Sequence, residues 1–268
     1  MNIYVKSPEK AAKLAVVLKN VAALADTLTI HFNPDGLHAQ GLDSSHICMF
    51  ELRLAVDWFD AYEVEEGSDG SVVGLSMGII AKLVGARQPK QSMRLGYAND
   101  KFEISFESDG VAGEFNKSFS VPCIDIDCEM MEIPARESEV DAVISTTTLT
   151  AIVHQMSIFG DCVEIQCNDE MISINTDGNE GSMKVGLTTD DMEEYAVVEG
   201  LTMSQSFALR YMSILCTFHK INPTVRFGLS TDMPVEMCYS MDEEDTTTDS
   251  TPNCMKLYLA PKIADFDE

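Results

Sequence analysis

The sequence predicts an α+β fold of antiparallel sheets and four helices, laid out as two tandem copies of one domain. Three observations carry this. Apolar residues alternate with period two along most of the chain, as in the sets Leu28, Ile30, Phe32, then Phe102, Ile104, Phe106, and Val163, Ile165, Cys167. Successive strand side chains point to opposite faces, so each set lines one face of a sheet. Four segments, 8–20, 76–86, 146–158 and 207–220, instead space their apolar residues as a helix does. The third observation is internal repetition. Asp26 in VVLKNVAALADTLTIHFNPDGLHAQGLD matches Asp161 in AIVHQMSIFGDCVEIQCNDEMISINTDG, an offset of 135. Arg94-Leu-Gly-Tyr-Ala-Asn-Asp100 matches Arg226-Phe-Gly-Leu-Ser-Thr-Asp232, an offset of 132.

Taken in order, segment 8–20 opens on Pro8, which suits a first helical turn. Lys10 and Lys13 lie one turn apart, Leu14, Leu18 and Val21 share another face, and Lys19 flanks the stripe. Segment 76–86 carries Lys82, with Arg87 and Lys90 just past its end. Between the halves, KSFSVPCIDIDCEMMEIP (Lys117–Pro134) alternates apolar and acidic residues between Pro122 and Pro134. Proline is poor in a central strand, so this reads as an extended surface crossover. The expected domains are therefore 1–116, a connecting loop 117–134, and 135–268. Segment 146–158 places Thr147, Thr150, His154 and Ser157 on one face. In 207–220, Arg210, Ser213, Thr217 and Lys220 fall within roughly 80° of arc. Phe207, Tyr211, Ile214, Leu215 and Phe218 occupy the opposite face. Met241–Pro252 (MDEEDTTTDSTP) has almost no apolar content and reads as an exposed loop. The acidic tail, Ile263–Glu268, reads as mobile.

Composition narrows the function. Of 268 residues, 45% are hydrophobic, enough for a sizeable core. No apolar run is long enough to span a membrane, and MNIYVKSPEK lacks the pattern of a secretory signal. The 8 cysteines form no CxxC pair and no His pair has metal-ligand spacing, so reduced, mostly buried thiols are expected, with no metal and no cofactor. P-loop, HExxH and GxGxxG motifs are absent, and no catalytic residue is expected. The net charge is −26, from 44 acidic and 18 basic residues, which argues against tight nucleic-acid binding by the whole surface. Eight of those 18 cations, however, sit on or beside the helical segments: Lys10, Lys13, Lys19, Lys82, Arg87, Lys90, Arg210 and Lys220.

Four motifs complete the picture. Gly41-Leu-Asp-Ser-Ser-His-Ile-Cys-Met49, Phe207-Ala-Leu-Arg-Tyr-Met212, Ile124-Asp-Ile-Asp127 with Ile133-Pro134, and Lys256-Leu-Tyr-Leu-Ala-Pro-Lys262 resemble, in order and spacing, the proliferating cell nuclear antigen family. The resemblance implies the DNA clamp fold: a homotrimer of tandem repeats forming a six-domain ring, helices lining the hole and sheets outside. It implies a nuclear protein, or one of a viral replication site. Its expected partners are double-stranded DNA, DNA polymerase, a clamp loader and other peptide-bearing replication proteins. The alternative within the same fold is a subunit of a heterotrimeric or checkpoint-type clamp. By resemblance Lys13, Lys19, Lys82, His154 and Arg210 face DNA, His154 standing where relatives commonly have Arg. Helical position adds Lys10, Arg87 and Lys220.

The same resemblance implies a partner-peptide pocket of Leu42, Ile47, Met49, Met131, Ile133, Pro234, Tyr258, Ala260 and Pro261. It implies subunit contacts between edge strands at about Phe115–Val121 and Gly181–Leu187, with Phe115, Phe119, Val121, Gly181, Met183 and Val185 at the interface. One departure stands out. Where cellular relatives often carry a ubiquitin- or SUMO-accepting lysine after the strand 163–167, this chain has Asn168-Asp169-Glu170.

Overall fold

The computed structural model describes residues 1–64, 71–108, 110, 115–126, 130–134, 137–242 and 253–262. Most of the acidic loop expected at 241–252 and the tail 263–268 lie outside the described residues, as do 127–129 of the connecting loop. In order, the elements are β1 (Asn2–Val5), α1 (Pro8–Asn20), β2 (Thr27–Asn33), β3 (Gly36–Leu42), β4 (Cys48–Ala55), β5 (Ala61–Glu63), β6 (Ser71–Ser76), α2 (Met77–Val84), β7 (Ser92–Ala98), β8 (Lys101–Glu107) and β9 (Lys117–Pro122). There follow β10 (Val140–Ser145), α3 (Thr146–Met156), β11 (Cys162–Cys167), β12 (Met171–Gly178), β13 (Gly181–Thr188), β14 (Glu194–Val197), β15 (Met203–Ala208), α4 (Leu209–Cys216), β16 (Thr224–Leu229), β17 (Val235–Ser240) and β18 (Cys254–Leu259). Every register described is antiparallel.

The chain forms two compact units. The first is Met1–Ser44, Phe50–Glu132 and Ser240–Met255; the second is Ser45–Met49, Ile133–Tyr239 and Lys256–Glu268. In the first unit one sheet has the order β5-β1-β7-β8-β9, and β6, β2, β3 and β4 run side by side in another. In the second unit one sheet has the order β13-β12-β11-β15, and β14, β10, β16 and β17 run side by side. Helix α1 packs on α2 in the first unit, and α3 on α4 in the second.

The repeat seen in the sequence is visible as repeated backbone devices. The Asp26 carbonyl accepts from Met77 N at 2.9 Å, and the Asp161 carbonyl accepts from Leu209 N at 2.9 Å. Each bond ties the strand after one helix to the first residue of the next, so the matched aspartates mark a shared start point for α2 and α4. The matched motif ends in Asp100 and Asp232, whose φ values of 58° and 60° place both in the left-handed region. Aspartate tolerates that region better than most residues, which suits it to the tight β7–β8 and β16–β17 connections.

The period-two triplets do face inward. Leu28, Ile30 and Phe32 are buried, as are Phe102, Ile104 and Phe106 in the same unit, and Val163, Ile165 and Cys167 in the other. Each such side chain contributes about 1.5–3 kcal/mol by leaving water. Burial also pushes the Cys167 thiol up to about 12, so it stays protonated and packs as an apolar group. Glycine is required at Gly36, where φ is 141° and a Cβ would fall 2.1 Å from the Leu54 carbonyl oxygen.

One helix differs from the sequence expectation. The segment 207–220 is not one helix: Phe207 is the penultimate residue of β15, paired with Val163, and α4 begins two residues later. Met203, Gln205 and Phe207 are buried in alternation, so period two extends further into this segment than its helical pattern suggested. Past Cys216, a 3₁₀ turn over Thr217–Lys220 finishes the element.

Candidate nucleic-acid face and docking residues

Helix α1 is started by Ser7, whose hydroxyl accepts from Lys10 N at 3.3 Å, with Pro8 in the first turn. Ala11, Leu14, Val17 and Leu18 are its buried face. Lys10 lies one turn before Leu14 and so belongs to that face. Its ammonium donates to the Trp58 carbonyl at 3.1 Å and sits 5.4 Å from the Trp58 ring centroid. Lys13, at the margin, donates to the Asp242 carbonyl. Lys19 is exposed on the far side.

Helix α2 buries Met77, Ile80 and Val84 and leaves Lys82 exposed. Arg87, beyond its end, donates to the carbonyls of Pro8, Pro89 and Gln91, bracing the loop after α2 against the start of α1. In the second unit, α3 buries Leu149, Ile152, Val153 and Met156 and exposes Thr147, Ala151 and His154. Thr150 is turned to its own backbone, donating to the Thr146 carbonyl at 2.6 Å. Arg210 on α4 is exposed, its guanidinium 4.9 Å from the Tyr211 ring centroid, and Lys220 is exposed at the end of the following turn. Lys19, Lys82, Arg210 and Lys220 make no ion pair among the described residues.

The distribution of charge is the sharpest property of these helices. Of the 44 acidic residues, Glu9 alone lies within α1–α4, which hold Lys10, Lys13, Lys19, Lys82 and Arg210. Carboxylates are thus nearly excluded from the helices of a strongly acidic chain. Surface charges more than about 8 Å apart are largely screened at physiological salt, so these faces can be locally cationic.

The residues read as docking positions are placed as follows. In the second unit, Ala260 N donates to the Ile47 carbonyl at 2.9 Å, and Lys262 N donates to the Ser206 carbonyl at 2.7 Å. These bonds set the strip Tyr258, Ala260, Pro261 beside Ile47, which is 38% exposed. Met49 and Ile133 are half-buried and Pro234 is exposed. Gln205 holds the turn before Pro234, donating to the Met233 carbonyl at 3.2 Å. In the first unit, Leu42 is half-buried at the end of β3, and Met131 is exposed.

The residues read as subunit contacts lie on sheet edges. β9 ends the order β5-β1-β7-β8-β9, and β13 ends the order β13-β12-β11-β15. Both alternate half-buried and exposed positions. Phe119 packs on Phe106 with centroids 6.1 Å apart, Val121 is half-buried, and Phe115 is 66% exposed. Gly181, Met183 and Val185 share the half-buried face of β13. The Asn168-Asp169-Glu170 departure has a local reason: Asn168 Oδ1 accepts from Glu170 N at 2.9 Å and Met171 N at 3.0 Å, closing the β11–β12 turn.

One polar cluster was invisible in the sequence. Glu51, on β4, is 3% exposed, and its Oε1 accepts from His38 Nε2 at 2.9 Å, Gln40 Nε2 at 2.9 Å and Arg53 at 2.8 Å. Burial pushes its carboxyl up, but the hydrogen bonds from His38, Gln40 and Arg53, with the Arg53 charge, outweigh it and hold the group down to about 2. A depressed carboxyl adds stability that is complete above its unfolded value and is lost as pH falls through the folded one. Acidification from about pH 5 to 2 therefore removes at most about 3 kcal/mol through this one group. Denaturant midpoints measured across that range should fall in the wild type and fall less steeply in Glu51→Gln.

Comparison with known proteins fits this arrangement. The model of the proliferating cell nuclear antigen N-terminal domain matches residues 7–130, and that of the C-terminal domain matches residues 132–253. Proliferating cell nuclear antigen 1 of Plasmodium falciparum is 26% identical over 265 residues, covering 95% of each chain. Proliferating cell nuclear antigen 2 of Drosophila melanogaster is 25% identical over 260 residues, covering 95% of this chain and 94% of its own. Two tandem domains of one family, on an α+β framework whose repeat is written into both sequence and backbone, place the chain in the proliferating cell nuclear antigen family of DNA sliding clamps.

Proposed function

We propose that three copies of this chain close into a ring around duplex DNA and tether DNA polymerase and other replication and repair factors to it. The near-exclusion of carboxylates from the helices of both units carries this reading. A clamp needs topological linkage rather than affinity. A few exposed cations that meet phosphates carry no sequence information and permit sliding. Lys19, Lys82, His154, Arg210 and Lys220 are exposed for that task; Lys10, Lys13 and Arg87 reach backbone carbonyls of their own unit and would shape the face from behind.

In this reading 1–116 and 135–268 are the two clamp domains and 117–134 is the connecting loop. The edges β9 and β13 pair between neighbouring subunits, which would close two strand edges that otherwise invite aggregation. Partner peptides, with a glutamine anchor and an aromatic pair, dock on Leu42, Ile47, Met49, Met131, Ile133, Pro234, Tyr258, Ala260 and Pro261, where the methionines supply adaptable apolar surface. No bond is made or broken by the protein. It acts in the nucleus, or at a viral replication site, with a clamp loader to open the ring.

The test is retention on DNA. Protein loaded onto a closed circular duplex should stay bound through a high-salt wash and be lost when the circle is cut once. Retention on the linear product would defeat encirclement.

A further inference from the structure

Beyond β9 and Cys123, whose N–H donates to the Asp100 carbonyl at 3.0 Å, the connecting segment 117–134 is hydrogen-bonded to the first unit at two further points among the described residues. At the first, Ile124 N donates to the Gly74 carbonyl at 2.9 Å, an antiparallel bridge onto β6. A Cβ on Gly74 would lie 2.1 Å from the Ile124 carbonyl oxygen, so only glycine allows this approach. At the second, the side chain of Gln40 imitates a neighbouring strand. Its Nε2 donates to the Met131 carbonyl at 3.1 Å, and its Oε1 accepts from Met131 N at 3.0 Å.

The second point works only if the Gln40 amide keeps one orientation. Turned over, it would set oxygen against the Met131 carbonyl and N–H against N–H. Glu51 supplies the orientation. A carboxylate can only accept, and its Oε1 takes the other Nε2 proton of Gln40 at 2.9 Å. His38 and Arg53 reach the same oxygen and hold Glu51 in place. Gln40 and Glu51 are 7% and 3% exposed, so an unmade bond here would not be replaced cheaply by water. Above this buried brace, Met130 and Met131 are 40% and 37% exposed, next to Glu132.

We propose that Gln40, oriented by Glu51, is a positioning residue for the connecting segment, acting with Gly74 to present Met130 and Met131 to an incoming apolar peptide. The proposal rests on the docking role proposed for this segment, and the experiment separates the two. The full chain is compared with Gln40→Ala, with Gln40→Glu and with Gly74→Ala. Gln40→Glu keeps the side-chain shape but cannot donate to Met131 and meets the Glu51 charge.

Amide exchange is read at Met131, Ile124 and, as a control, Ile30 in β2. Both Gln40 variants should speed exchange at Met131 at least about tenfold and leave Ile30 unchanged. Gly74→Ala should do the same at Ile124. A fluorescent synthetic peptide with a glutamine anchor and two aromatic residues should bind each variant about tenfold more weakly. Unchanged Met131 exchange in both Gln40 variants overturns the brace. Faster exchange with unchanged peptide affinity overturns its role in presentation. A wild type that ignores the peptide defeats the docking reading, and the exchange data still judge the brace. Should a Gln40 variant fail to fold, Gly74→Ala decides between the same outcomes from the other end.

Discussion

Reversing two charges, Lys82→Glu with Arg210→Glu, should abolish processive DNA synthesis by a clamp-dependent polymerase while leaving the protein folded. Both side chains are exposed, one in each unit, and neither makes an ion pair among the described residues. Exposed substitutions away from such partners change stability by about 0.5 kcal/mol or less. In the proposed ring the effect on DNA is larger, because each chain would trade two exposed cations for two carboxylates that repel phosphate, on helices that otherwise hold Glu9 as their single acid. In a three-chain ring six positions change sign. Product length on a primed circular template should drop at least about tenfold at physiological salt and recover partly as salt is raised, since screening weakens repulsion as well as attraction. Undiminished product length would remove the helices from the DNA face.

The second large effect concerns assembly. Met183→Asp with Val185→Asp should reduce the mass in solution from three chains to one. These residues share the half-buried face of β13, an edge strand with no partner on its outer side among the described residues. Within one chain each is already partly open to water, so the isolated fold should tolerate the change. Between chains the two carboxylates would be enclosed without partners, a cost of several kcal/mol at each contact. Light scattering after size exclusion reads the result. A wild type that is already a single chain would turn the reading toward the heterotrimeric alternative. A double variant that stays trimeric would move the interface away from β13.

Much of this molecule was legible in its sequence because periodicity and burial are the same fact seen twice. The triplets at 28–32, 102–106 and 163–167 had to face a core, and the repeated Asp26/Asp161 and Asp100/Asp232 pairs had to mark repeated turns. The exposed cations were legible too, since helical spacing sets Lys82 and Arg210 opposite the apolar stripe. What pattern could not give was the fate of side chains near a boundary between faces. Lys10 and Arg87 counted as surface cations, yet their hydrogen bonds go to Trp58, Pro8 and Gln91. Phe207 satisfied both periods, and strand pairing with Val163 settled it.

Glu51 was hidden for the opposite reason. It occupies the polar phase of β4, between Phe50 and Leu52, where alternation predicts water. Only the fold brings His38, Gln40 and Arg53 around it.

The Trp58 site has a practical consequence. Trp58 is the single tryptophan of the chain, 1% exposed, with its indole N–H donated to the Met241 carbonyl at 3.2 Å and the Lys10 ammonium over its ring. Emission excited selectively at the indole therefore comes from one address, in the unit that carries α1 and the 240–255 return. Melting of that unit should red-shift the signal, while events confined to the second unit are optically silent. Followed alongside circular dichroism, which sees both units, this lone fluorophore distinguishes a chain that unfolds in one step from one whose halves let go in turn.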